Sequence, residues 1–113
     1  MDETEFEDTV QAAIESLPDD LRAAMSNVEI VVEDEPAAGQ PLLGLYQGIP
    51  LTERTSWYSG ALPDKITIYR GPLERYSGGD PATLHRQIRR VVLHEIAHHF
   101  GISDERLREI DRY

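Results

Sequence analysis

A chain of 113 residues, 40% hydrophobic and 28% charged, can bury one modest core and not a second, so a single domain over residues 1–113 is expected. No apolar run approaches the roughly 18 residues that cross a bilayer, and the absence of cysteine excludes disulfides, thiolate metal sites and Cys nucleophiles. The net charge of −10 repels a phosphate backbone, so no nucleic-acid partner is expected.

The acidic opening, Met-Asp-Glu-Thr-Glu-Phe-Glu-Asp, is the reverse of a basic secretory leader and points to the cytoplasm. Phe6, Val10, Ala13, Ile14 and Leu17 recur at spacings of three and four, which predicts an amphipathic helix that Pro18 interrupts before a short helical turn around Leu21 to Met25. Val28 to Val32 is β-branched and stops at Glu-Asp-Glu-Pro, the pattern of a strand. From Glu35 to Pro63 glycine and proline mark loops around short strands near Leu42 to Tyr46 and Trp57 to Ala61. Lys65 to Arg70 alternates apolar and polar residues, which predicts a half-buried strand ended by Gly71-Pro72. Its outer edge is then free to accept an extended peptide along Ile66 to Tyr69. Asp80-Pro81 offers an N-cap and a first-turn proline for a helix through Leu84, Ile88, Val91, Val92 and Ile96 to about His99. Gly101 can end it, and Ser103 can cap a last short helix through Leu107 and Ile110. The element order predicts an α+β fold with a small mixed or antiparallel sheet packed against the long helix and the N-terminal helix.

The long helix carries His94-Glu95-x-x-His98. Residues four apart lie about 40° apart on one face, so both imidazoles can reach one ion at about 2.0–2.1 Å. Glu95 is turned about 100° from His94, a position from which a carboxylate can act as general base on water without becoming a ligand. Two imidazoles hold zinc weakly. Gly101 lets the chain turn back, and Asp104, six residues after His98, is the expected third ligand, with Glu105 or Glu109 as substitutes. A His₂Asp set leaves one position open and one net positive charge on bound Zn²⁺. His99 points about 140° from His94, into the apolar arc, and reads as a core or supporting histidine. His85 reads as solvated. Arg90 and Gln87 share the face of His94 and are candidates for binding a substrate carbonyl or a metal-ligating carboxylate, or form a plain solvated stripe, while Trp57, Tyr58, Tyr69 and Tyr76 are candidates for lining a cleft or stabilising an oxyanion.

The string HExxHxxGxxD resembles the extended zinc signature of metzincin peptidases with Asp in place of the third His. The Met-containing turn that follows that signature has no counterpart here, since the sole internal methionine is Met25. Taken whole, the segments VEIVVEDEP, LLGLYQGIPLTER, LPDKITIYRGPLERY and VLHEIAHHFGISDERL resemble the small bacterial zincin-like metallopeptidases, a minimal zincin family. The resemblance implies a compact α+β domain, zinc on His94, His98 and Asp104, and Glu95 as catalytic acid/base. The leading expectation is therefore a zinc metallopeptidase acting on a peptide or protein substrate. The rivals are a metal-dependent RNA hydrolase and a metal-stabilised interaction module without turnover.

Overall fold

Asp2 starts the first helix, its side chain accepting a hydrogen bond from the Glu5 backbone N–H at 2.8 Å, and α1 (Glu3–Glu15) follows with Phe6, Val10 and Ala13 buried. The computed structural model describes residues 1–58 and 62–106. A short α2 (Asp19–Ala24), with no buried residue, leads into β1 (Val28–Glu33). After a loop come β2 (Gly44–Gln47) and a 3-10 turn at Leu51–Glu53. Next are β3 (Asp64–Tyr69), α3 (Arg70–Tyr76) and the long α4 (Pro81–His99). Asp80 caps α4 by accepting from the Thr83 N–H at 3.2 Å, and Pro81 occupies the first turn, where its missing N–H removes no helical bond.

The three strands form one mixed sheet in the order β1-β3-β2, with β1 parallel and β2 antiparallel to β3. The register sets Ile30 and Tyr46 on either side of Ile66. Apolar side chains of α1, β3, α3 and α4 make the buried core, with Phe6, Ile66, Ile68, Leu73, Ile88 and Val92 fully covered. The α4 helix therefore presents one face to this core and the end of another to β2. This is the α+β arrangement expected, and the sheet is mixed.

Three expectations require correction. β3 is the central strand, paired on both sides, so no edge is free along Ile66 to Tyr69. Its alternation suggested a half-buried strand, yet Thr67 and Tyr69 are also buried. The strand itself ends at Tyr69, just before Gly71-Pro72, and the chain passes directly into α3 at Arg70, where proline in a first turn costs no hydrogen bond. Trp57 and Tyr58 are not in a strand. The remainder of that expected strand, residues 59–61, lies outside the described residues, as does the last helix beyond Arg106. Residues 104–106 are helical, and Ser103 Oγ accepts from the Arg106 N–H at 3.2 Å, as a cap should.

Candidate metal centre

His94 and His98 project from successive turns of α4 with their rings edge to face, centroids 4.8 Å apart, and their Nε2 atoms 3.2 Å apart. Beyond them the helix closes in a Schellman turn. The Gly101 N–H donates to the His98 carbonyl at 2.9 Å and the Ile102 N–H to the Ala97 carbonyl at 3.0 Å, with Gly101 at φ +90°. That left-handed step favours glycine because a Cβ there collides with the following carbonyl oxygen. It reverses the chain and sets Asp104 Oδ1 at 3.2 Å from His94 Nε2 and 3.0 Å from His98 Nε2. The same turn supplies the Ile102 carbonyl, which accepts from His98 Nδ1 at 2.9 Å. With its proton on Nδ1, the neutral His98 ring directs an unprotonated Nε2 at Asp104.

The donor set fits a divalent metal. Three donors about 2.1 Å from a common tetrahedral centre stand roughly 3.4 Å apart, and the triangle here has edges of 3.0–3.2 Å. His98 Nε2 and a carboxylate oxygen at 3.0 Å present lone pairs to each other, an arrangement that a shared cation relieves. Imidazole and carboxylate together suit zinc better than calcium or magnesium. Among the described residues these three side chains form the one His/Asp/Glu group that could hold a metal ion. Glu105 is not part of that group, and Glu109 lies outside the described residues.

Glu95 is 8% exposed and lies beside the triangle without belonging to it. Burial raises its pKa above the ordinary carboxylate range, partly offset by the nearby His94 and His98. It borders a cavity of about 460 Å³ that also touches His94, His98 and Asp104 and is walled by Leu42, Gly44, Leu45 and Tyr46 of the β2 region. Gly44 sets the width of that wall. A Cβ at this position would meet Val91 Cγ1 at 2.7 Å and Glu95 Cγ at 3.2 Å, so only glycine lets the strand approach α4 this closely. The arrangement combines a triangle of donors that could hold a metal, a buried carboxylate and an open groove.

Behind the triangle lies a feature that pattern reading missed. The buried carboxylate of Asp64 accepts hydrogen bonds from Tyr46 Oη, the Ile49 N–H (3.0 Å), Arg54 (2.9 Å) and His99 Nδ1 (3.1 Å). Burial alone would raise the Asp64 pKa, but these donors, Tyr46 first, hold it below the ordinary value. His99 is fully buried, and its Nε2 accepts from the Ser26 N–H at 3.3 Å, which places the ring proton on Nδ1 toward Asp64. It is thus a supporting histidine, and burial lowers its pKa. Tyr46 stacks on His98 with ring centroids 6.5 Å apart, so the network reaches one histidine of the triangle. The available signal was an aspartate between Pro63 and an apolar strand, where a charge needs partners if buried.

The remaining candidates separate. His85 Nδ1 lies 3.4 Å from Thr9 Oγ1, away from the triangle. Trp57 is 91% exposed, Tyr69 is core, and Tyr58 accepts from Asn27 and lies under the Arg54 guanidinium. Tyr76, Gln87 and Arg90 line a second cavity of about 340 Å³ that reaches His94 and Glu95. No helix among the described residues is long and apolar enough to cross a membrane. Residues 25–113 match a family described as Zincin-like metallopeptidase. No curated protein matches the chain.

Proposed function

The chain belongs to the zincin-like metallopeptidase family, and from that premise we propose that it hydrolyses peptide bonds using zinc held by His94, His98 and Asp104, with Glu95 as general base. The observation that carries this reading is the triangle of converging lone pairs beside a buried carboxylate. Zinc in that position supplies Lewis acidity that polarises a carbonyl and acidifies water. The protein's own groups do the rest. His98 is held in one tautomer by the Ile102 carbonyl, so its Nε2 stays available as a ligand. Glu95, its basicity raised by burial, takes the proton from the attacking water and delivers it to the leaving nitrogen. No acyl-enzyme forms, because water is the nucleophile.

The central position of β3 moves the peptide path. β2 is an edge strand of the sheet and its residues wall the groove beside the triangle, so the extended substrate runs along Gly44–Gln47. Backbone pairing of that kind confers little side-chain selectivity.

The decisive experiment compares the wild type with Glu95→Gln at equal zinc occupancy on a pool of flexible peptides, with and without chelator, read by mass spectrometry. Loss of about 10²- to 10⁴-fold in turnover with zinc and thermal stability retained is expected for a general base. Equal cleavage by both proteins removes Glu95 from the mechanism. Metal-dependent cleavage by neither favours an interaction module.

A further inference from the structure

The cavity of about 340 Å³ beside the metal triangle shares Leu42, Gly44, His94 and Glu95 with the groove and extends away from it along α4. Pro41, Leu43 and Val91 give it an apolar lining, and Gln87, Arg90 and Tyr76 line it as well. Apart from His94 and Glu95 of the centre itself, Arg90 is its charged residue. This is notable in a chain with 21 acidic and 11 basic residues. Arg22, Arg54, Arg70 and Arg75 each pair with a carboxylate, whereas no carboxylate among the described residues pairs with Arg89 or Arg90, and of these two it is Arg90 that lines the cavity. A guanidinium on the wall of a groove, without a carboxylate partner among the described residues, is free to engage an anion brought by a ligand.

We propose that Arg90 is a specificity-determining residue, and that this cavity takes a carboxylate of the peptide substrate close to the scissile bond. The inference rests on the peptidase reading of the neighbouring centre. Arg90 is four residues before His94, a displacement of about 6 Å along the helix axis on one face, and an extended peptide advances roughly 3.3–3.6 Å per residue. The carboxylate bound there therefore belongs to a residue one or two positions from the bond that is cut. A guanidinium engages a carboxylate through two parallel N–H···O bonds. Gln87, three residues earlier on the same face, adds an amide donor, and the apolar wall accommodates the methylene groups of an acidic side chain. Two sources carry this chemistry: the side chain of Asp or Glu, and a free C-terminus.

The test uses four dipeptides tipped with a hydroxamate to anchor them on zinc, carrying Glu or Gln at the inner position and a free acid or an amide at the C-terminus. Each is titrated against the zinc-loaded wild type, Arg90→Ala and Arg90→Glu, with metal content measured in parallel. Arg90 is exposed, so both variants keep the fold. One carboxylate-bearing form should bind the wild type about tenfold more tightly than its neutral counterpart. Which form does so identifies the side chain or the C-terminus as the source. That advantage should vanish in Arg90→Ala and reverse in Arg90→Glu. Equal binding of all four by the wild type, binding of none, or a preference that survives in Arg90→Ala overturns the proposal. A peptide pool cleaved without any carboxylate preference refutes this inference and leaves the peptidase reading standing. A carboxylate preference in binding without cleavage of any peptide does the reverse.

Discussion

Asp104 differs from the two histidines in what holds it. His94 and His98 are fixed by a 19-residue helix, while the Asp104 side chain is 65% exposed and follows the helix by a single turn. Its contribution should be correspondingly separable. Asp104→Ala is expected to weaken zinc affinity by at least tenfold with little change in metal-free stability, measured by competition with a chromophoric chelator and by denaturant unfolding. Asp104→Asn keeps the volume and a carbonyl oxygen but removes the charge, and should recover only a small part of the affinity. Retention of full affinity in both variants would transfer the third ligand to another carboxylate. Glu95 was placed by helix geometry alone, since a residue next to His94 must stand to one side of it. Asp64 could not be placed that way, because its partners come from separate stretches of chain.

Two elements control the width and closure of the site. At the helix end, a Cβ on Gly101 would meet both an unfavourable left-handed backbone and the side chain of Thr52. Gly101→Ala should therefore cost about 1–2 kcal/mol and weaken zinc binding as well, because the turn that it strains is the one that returns Asp104. Calorimetry and zinc titration of the same variant test both effects, and a stable variant with unaltered affinity would contradict this role of the turn. The elements readable in the sequence were those whose logic is local. The α4 helix follows from Asp80-Pro81, its apolar spacing and Gly101, and the meeting of His94 and His98 on one face follows from a four-residue interval. The position of β3 in the sheet was not readable, because the partner of Asp64 is Val28, 36 residues earlier, and that of Ile68 is Gly44, 24 residues earlier, and alternation says nothing about neighbours. α3 was hidden by Gly71-Pro72, a pair that ends many strands but also fits the opening turn of a helix.

For the molecule as a whole, metal and protons act on stability in ways that can be separated. Zinc that binds only the folded state stabilises by about 2.7 kcal/mol at a hundredfold excess over Kd, on the order of 10 °C in Tm for a chain of this size. Chelation should lower the Tm of the wild type by that order and leave His94→Ala and His98→Ala unmoved. A chelator-induced shift of equal size in those variants would place the stabilising metal elsewhere. The Asp64 network sets the acid limit. The folded Asp64 pKa is depressed, so its stabilisation is fully present above the unfolded aspartate value and is lost as pH falls through the lower folded value. His99, also depressed, contributes in the same direction at higher pH, where the unfolded imidazole begins to take up a proton. Asp64→Asn should be less stable at neutral pH and show a flatter stability profile in the acid range. A profile parallel to that of the wild type would remove Asp64 from the acid transition.

The buried carboxylate also ties together residues far apart in the chain. Removing either partner of a buried ion pair leaves an uncompensated charge and costs about 3–5 kcal/mol, whereas replacing the whole set by packed apolar groups can be neutral. Single substitutions at Tyr46, Arg54, Asp64 or His99 thus descend into a fitness valley that a coordinated exchange avoids. In descendants of this chain these four positions should be inherited as a block, kept together or lost together, while His85 and Trp57 drift independently.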